Sequence, residues 1–208
     1  MPPDWGRKPA FRSLKPEEEN CWLKSENDRK KDENREGFLN MENQRKTDGI
    51  VFRHPTTQDG QYFWELAKAS GTLDVNSPYH YLIMCRHFGN TCLAAEKQGE
   101  VVGFVTAYIP PDAPDTLFVW QVAVNGKERG QGLGLHLLIN LFKKMKSLNV
   151  KHLDATITPS NHASINLFTA AARELDAPFE FEKEFFSAAD FGKNTHAPEL
   201  LFHIGPID

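Results

Sequence analysis

The chain has 208 residues, 24 Lys and Arg against 28 Asp and Glu, a net charge of -4 and 40% hydrophobic residues. No apolar run reaches about 18 residues, so no membrane-spanning helix is expected, and the acidic balance disfavours nucleic acid as a partner. Three cysteines, Cys21, Cys85 and Cys92, with no CxxC pair, point to neither a disulfide framework nor a metal site.

The opening stretch MPPDWGRKPAFRS has no apolar core of a secretory signal. A reducing cytoplasm is the expected location. Residues 1–48 hold 11 basic and 11 acidic side chains and few apolar ones. Such a segment buries too little surface to offset its ordering entropy, and a charged, disordered extension is expected there. A docking tail is the functional alternative, and Met41 is an alternative start. The whole charge excess therefore lies in residues 49–208, which read as one domain.

In that body, Gly49–Arg53 is a short strand. Asp59–Ser70 has helical spacing at Phe63, Leu66 and Ala67, with Gly71 as its stop. Pro78–Phe88 is a second helix. Thr91–Glu96 and Val101–Ile109 flank a Gly-containing turn and read as a hairpin. Leu117–Val124 is a continuous apolar run, suited to a strand buried on both faces. Gly132–Leu148 is an amphipathic helix with Leu135, Leu138, Ile139, Phe142 and Met145 inward. His152–Thr158, Ala163–Leu175, Phe179–Phe186 and Leu200–Ile204 complete the order as strand, helix, strand and strand. The alternation predicts an α/β (α+β) fold with a mixed sheet.

The sharpest local feature is the passage from Val122 through Arg129-x-x-Gly132-x-Gly134. A strand runs into a glycine-rich turn at a helix start. Glycines allow close backbone approach, and a helix N-terminus favours an anion such as a pyrophosphate. A turn that only caps the helix is the alternative. The dinucleotide fingerprint requires an earlier position in the chain, and the P-loop Gly-Lys-Ser/Thr is absent. Position therefore points to coenzyme A.

Strand, glycine turn, helix, strand and then Asn161 in a second helix resemble the GNAT acetyltransferase superfamily over about residues 50–205. The resemblance implies a strongly twisted sheet, splayed beside the Leu117–Val124 strand and flanked by helices. It implies acetyl-CoA as co-substrate, held by main-chain groups of Val122 and Val124, by Arg129, Gly130, Gln131, Gly132, Leu133 and Gly134, and by Asn161. Phe168 stands where many members have the Tyr that protonates the departing thiolate, and Phe has no proton to give. A thiol with a pKa near ~8.5 leaves tolerably as thiolate.

Further motifs narrow the resemblance. Leu73–Cys85, Leu117–Val124, Thr158–Asn161, His196–Glu199 and Ile204–Pro206 are similar to L-2,4-diaminobutyrate acetyltransferases of ectoine synthesis. Two departures stand out, Ala197 in place of Glu after the His and Asp154 in place of Glu on the strand. The resemblance implies L-2,4-diaminobutyrate as small-molecule partner and a homodimer.

A pocket for a substrate with two ammonium groups needs acidic side chains, because buried cations must be paired. Asp74, Asp154 and Glu199 are the acids in or beside these motifs. Asp74 alternatively caps a helix, Asp154 alternatively faces solvent, and Glu199 is alternatively an edge-strand surface charge. His196 is a candidate donor or base, and otherwise a surface loop residue. Trp120 is a candidate pocket wall, and otherwise core. Ser77 and Tyr79 are candidate donors to the substrate carboxylate, and otherwise turn and packing residues. The expected catalytic set is Asp74, Glu199, His196 and the Val122 N–H, with no metal. Acetylation of another small amine or a protein N-terminus, or a non-catalytic acyl-CoA-binding module, remain the alternatives.

Overall fold

The structure, a computed structural model, describes residues 49–181, 184–192 and 196–207. The expected extension, 1–48, lies outside the described residues. The elements are Ile50–Arg53 (β1), Gly60–Ser70 (α1), Pro78–His87 (α2), Leu93–Lys97 (β2), Glu100–Tyr108 (β3), Thr116–Val124 (β4), Leu133–Met145 (α3), His152–Ile157 (β5), His162–Glu174 (α4), Phe179–Phe181 (β6) and Leu200–Ile204 (β7), with short 3₁₀ turns between some of them. The order is the one the sequence predicts.

The seven strands form one mixed sheet in the order β1-β2-β3-β4-β5-β7-β6. Only β4 and β5 run parallel. α1 and α2 cover one face through Phe63, Ala67, Tyr81 and Cys85, packed on Phe104 and Ala123. α3 and α4 cover the other through Leu137, Leu141, Phe142, Phe168 and Ala171. α3 is apolar over more than the expected stripe, and Leu137 and Leu141 are fully buried while Leu135 is half-buried. α4 packs beside it, so the helix buries two sides.

Local chemistry explains the frame. Arg53 on β1 donates to both carboxylate oxygens of Asp59 at 2.8 Å and to Glu96 on β2 at 2.6 Å, joining the sheet edge to the start of α1. Pro78 opens α2 and the Ser77 hydroxyl accepts from the His80 N–H at 3.4 Å, a normal start for a helix.

Two strands depart from the sequence reading. β4 is not buried on both faces, because Trp120 is 46% exposed. The Phe179–Phe186 strand is also shorter than expected: β6 ends at Phe181. Phe186 instead makes a separate bridge to Glu199. The N–H groups of Phe185 and Phe186 both donate to the Glu199 carbonyl, at 2.7 and 3.0 Å, which breaks the ladder there.

Candidate active site

The site begins where the sheet opens. β4 and β5 pair only over Thr116–Phe118 and His152–Asp154. From Val119 onward the β5-facing edge of β4 has no strand partner, so its main-chain groups are left for something else. The second device is a bulge. Thr106 on β3 opposes Gln121, but Ala107 opposes Val119, which leaves Trp120 as the extra residue. A bulge reverses which side of the strand each side chain takes. Val119 faces the α3/α4 core before it, and Val122 and Val124 face that core after it. Trp120 and Gln121 consequently both turn toward α2: Trp120 meets the His80 ring at 5.4 Å, and Gln121 accepts from the Tyr81 hydroxyl at 3.0 Å.

A cleft of about 730 Å³ fills the splay. Asp74, Trp120, Val122, Asp154, Asn161, His196 and Glu199, all candidates from the sequence, line it together. So does Phe168, which is buried and cannot donate a proton. Four acids face the cleft, Asp74, Asp112, Asp154 and Glu199, and among the described lining residues there is no Lys or Arg.

At the mouth, His196 Nε2 lies 3.1 Å from an Asp74 carboxylate oxygen and 3.9 Å from Glu199. Its Nδ1 lies 2.6 Å from the Ala197 carbonyl, and its ring stacks on Phe191 at 4.1 Å. The hydrogen bond to the Ala197 carbonyl, and then Asp74, raise the imidazole above its ordinary pKa. Glu199 is the withdrawn member, with a side chain 15% exposed against 85% for Asp74. Burial raises the Glu199 carboxyl above the usual carboxylate range, although the Thr156 hydroxyl and His196 act in the other direction.

At the other end, the turn after β4 has Gly130 and Gly132 at φ +75 and +79, a left-handed backbone that other residues adopt at a cost. The first backward bond of α3 runs from the His136 N–H to the Gly132 carbonyl at 3.0 Å. The N–H groups of Leu133, Gly134 and Leu135 have no intrahelical acceptor, an arrangement suited to an anion. Leu133 contributes only its backbone, since its side chain is core. Arg129 donates to the carbonyls of Val124 at 3.2 Å and Ser70 at 3.4 Å, which folds the turn back on the strand. Gln131 is exposed in the same turn. Gly134 faces Val122, since a Cβ there would lie 3.9 Å from that side chain. Asn161 caps α4 by accepting from the Ser164 N–H at 3.1 Å.

Val124 and the turn residues 129–134 lie outside the cleft lining, and so do two of the substrate candidates. Ser77 is occupied as the cap of α2, and Tyr79 is 69% exposed beyond the cleft lining. Their distance from the site follows from Pro78, which starts the helix between them. Asp154 is in the cleft, but its carboxylate already pairs with His203 Nδ1 at 2.5 Å. Sequence reasoning missed Gln121, Thr156, Asp112 and His203. Only Gln121 carried a signal, as a lone amide in an apolar strand. It is 6% exposed and donates to the Asp74 carbonyl at 2.7 Å. Both Cys85 and Cys92 are buried thiols pushed up to about 12 by burial, which makes them poor nucleophiles.

The model of the acetyltransferase (GNAT) family matches residues 60–172. The L-2,4-diaminobutyric acid acetyltransferase of Marinococcus halophilus is 48% identical over 160 residues, 77% of this chain and 92% of that one. That of Halalkalibacterium halodurans is 46% identical over 158 residues, 76% of this chain and 82% of that one. Among solved structures, diaminobutyrate acetyltransferase EctA from Paenibacillus lautus, in complex with L-2,4-diaminobutyric acid and coenzyme A, superposes with a TM-score of 0.72 at 40% identity. It covers 76% of this chain and 96% of that one. Together with the splayed sheet and the glycine cradle, these likenesses show that the chain belongs to the GNAT acetyltransferases and, within them, to the L-2,4-diaminobutyric acid acetyltransferases.

Proposed function

We infer that this chain transfers acetyl from acetyl-CoA to the γ-amine of L-2,4-diaminobutyrate, directly, with both substrates bound together. The observation that carries the reading is a cleft with four acids and no described Lys or Arg, lined by Val122 on the strand that runs on into the glycine turn. Such a cleft attracts a dication, and the turn beyond it a pyrophosphate. The likeness to the diaminobutyric acid acetyltransferases supplies the acceptor.

The chemistry follows from the side chains. The γ-ammonium must lose a proton before attack, because its pKa lies near ~10. Glu199 takes that proton, since burial makes it more basic than a surface carboxylate. Asp74 at the rim pairs with the α-ammonium, which leaves the γ-nitrogen to face the thioester. His196, protonated to a higher pH than an ordinary imidazole, is the cation available to the substrate carboxylate. Trp120 walls the methylenes. The Val122 N–H, on the unpaired edge of β4, polarises the thioester carbonyl. Phe168 supplies no acid, so the thiolate departs as such and is protonated afterwards.

Buried, unreactive Cys85 and Cys92 suit a reducing cytoplasm. The chain acts as a homodimer in this reading, supported by the exposed Phe179 and Phe181 on the edge strand β6. Acetylation of diaminobutyrate beside a panel of polyamines and peptides, with NMR assignment of the acetylated nitrogen, tests the function. Faster turnover of spermidine or a peptide, or acetyl on the α-nitrogen, overturns it. Sedimentation of the purified chain checks the dimer.

A further inference from the structure

His196 sits among partners that only accept. Its Nδ1 lies 2.6 Å from the Ala197 carbonyl and its Nε2 lies 3.1 Å from an Asp74 carboxylate oxygen. A carbonyl and an ionised carboxylate have no proton to give, and a neutral imidazole has a single N–H. Both contacts are therefore filled only by the imidazolium, with a proton on each nitrogen. The His196 side chain is nonetheless 24% exposed, so water competes with these contacts.

One face of the imidazole is covered. Phe191 stacks on it with the ring centroids 4.1 Å apart and the planes 25° from parallel. Phe191 lines the cleft and belongs to neither core cluster of the described residues, so its packing is not that of an ordinary buried aromatic. Its ring meets the Phe186 ring edge-on at 6.3 Å, and Phe186 is bridged to Glu199. Its backbone ends the short 3₁₀ turn Ala188–Phe191, whose start is capped from within. There the Asp190 carboxylate accepts from the Ser187 N–H at 2.7 Å and from the Ser187 hydroxyl at 2.8 Å. The cap fixes the turn, and the turn fixes the ring against His196.

We propose that Phe191 is a positioning residue for the acceptor, holding His196 in place as an imidazolium at the mouth of the cleft. A cation within about 6 Å of an aromatic centroid is attracted to the negative face of the ring, which favours the charged imidazole over the neutral one. The groups that face His196 are Asp74 from the loop before α2, the Ala197 carbonyl, Glu199 just before β7 and the Phe191 ring. The carbonyl and Asp74 raise the imidazole, and the aromatic face acts in the same direction. The flat stack also fixes the plane of the imidazole. Nε2 stays on Asp74, and Glu199, at 3.9 Å, lies beyond hydrogen-bond reach of the ring. The charge thus remains in place for the carboxylate of diaminobutyrate, while Glu199 is left to take the amine proton.

The kinetic part of the proposal rests on the diaminobutyrate reading, whereas its effect on the imidazole does not. NMR titration of His196 in the substrate-free full chain, with the signal assigned by its loss in His196→Gln, reads the imidazole directly. The wild-type midpoint is expected above ~6.5, the unperturbed histidine value, a reading that does not depend on variant folding. In Phe191→Leu the midpoint is expected to fall by about half a pH unit. In Phe191→Tyr, which keeps the aromatic face, it is expected to stay near the wild-type value. In steady-state assays the diaminobutyrate KM of Phe191→Leu starts to rise at a correspondingly lower pH, with the acetyl-CoA KM little changed. A ring that merely packs would leave the midpoint where it is. A wild-type midpoint at or below ~6.5, the same midpoint in wild type and Phe191→Leu, or a Phe191→Tyr midpoint as low as that of Phe191→Leu overturns the proposal. So does a lowered midpoint with an unmoved KM limb in an enzyme that acetylates diaminobutyrate. A wild-type enzyme that acetylates no amine overturns the functional reading itself, and the titration still decides the stack.

Discussion

The side-chain amide of Gln121 donates to the backbone carbonyl of Asp74 at 2.7 Å while its oxygen accepts from the buried Tyr81 hydroxyl at 3.0 Å. One side chain in the middle of a strand thus fixes the loop that carries Asp74, the acid proposed to pair with the substrate. Replacing Gln121 with Leu removes both bonds and strands a buried hydroxyl, at a cost of about 1–3 kcal/mol in stability. The specific consequence is a higher KM for diaminobutyrate with the acetyl-CoA KM less affected, since Gln121 bonds to Asp74 and Tyr81 and not to the glycine turn. Steady-state kinetics in both substrates checks it.

Glu199→Gln keeps the size of the side chain but removes the proposed base. A fall in kcat of about 100-fold or more is expected, with acetyl-CoA binding retained. Because burial raises the Glu199 carboxyl, the ionised base appears only above the ordinary carboxylate range. The rate of the wild-type enzyme therefore climbs with pH through that raised value, and the limb vanishes in the variant. For stability the sign reverses. The neutral carboxyl is favoured in the fold, so this contribution is complete at acid pH and is given up as pH rises through the raised value. A pH–rate profile beside pH-dependent melting separates the two.

His196 provides a limb of the opposite sense. Its pKa is raised first by the Ala197 carbonyl and then by Asp74, so the imidazolium persists above its ordinary range and is lost as pH rises further. Diaminobutyrate KM should increase over that interval, and His196→Gln should have a high, pH-independent KM.

The cradle at the start of α3 can be tested at Gly132. Its φ of +79 makes any other residue strained, at roughly 1–2 kcal/mol. Gly132→Val is expected to raise the acetyl-CoA KM strongly, while Kd for diaminobutyrate, measured by calorimetry, stays near the wild-type value.

The order of strands and helices was legible because each has its own hydrophobic period and its own stop signals, as with Gly71 after α1 and Pro78 at the start of α2. The glycine turn was legible for the same local reason. What escaped is long-range. Nothing near His203 in the chain announces that Asp154, 49 positions away, takes its Nδ1. Ser77 and Tyr79 share a motif with Asp74, but a helix start turns them out of the cleft. The β6 reading ran on to Phe186 because the apolar pattern continues past Phe181, whereas two N–H groups converging on the Glu199 carbonyl follow from the fold and not from the pattern.

The extra residue at Trp120 ties the proposed acceptor pocket and the folding of β4 into one property. Removing a single residue there would not merely narrow the pocket. With the ladder restored to even pairing, every side chain from that point to Val124 would exchange sides, placing the Gln121 amide against the aliphatic core of α3 and the valines against α2. Substitutions at Trp120 can retune the acceptor, but the length of this strand is not free to vary with substrate.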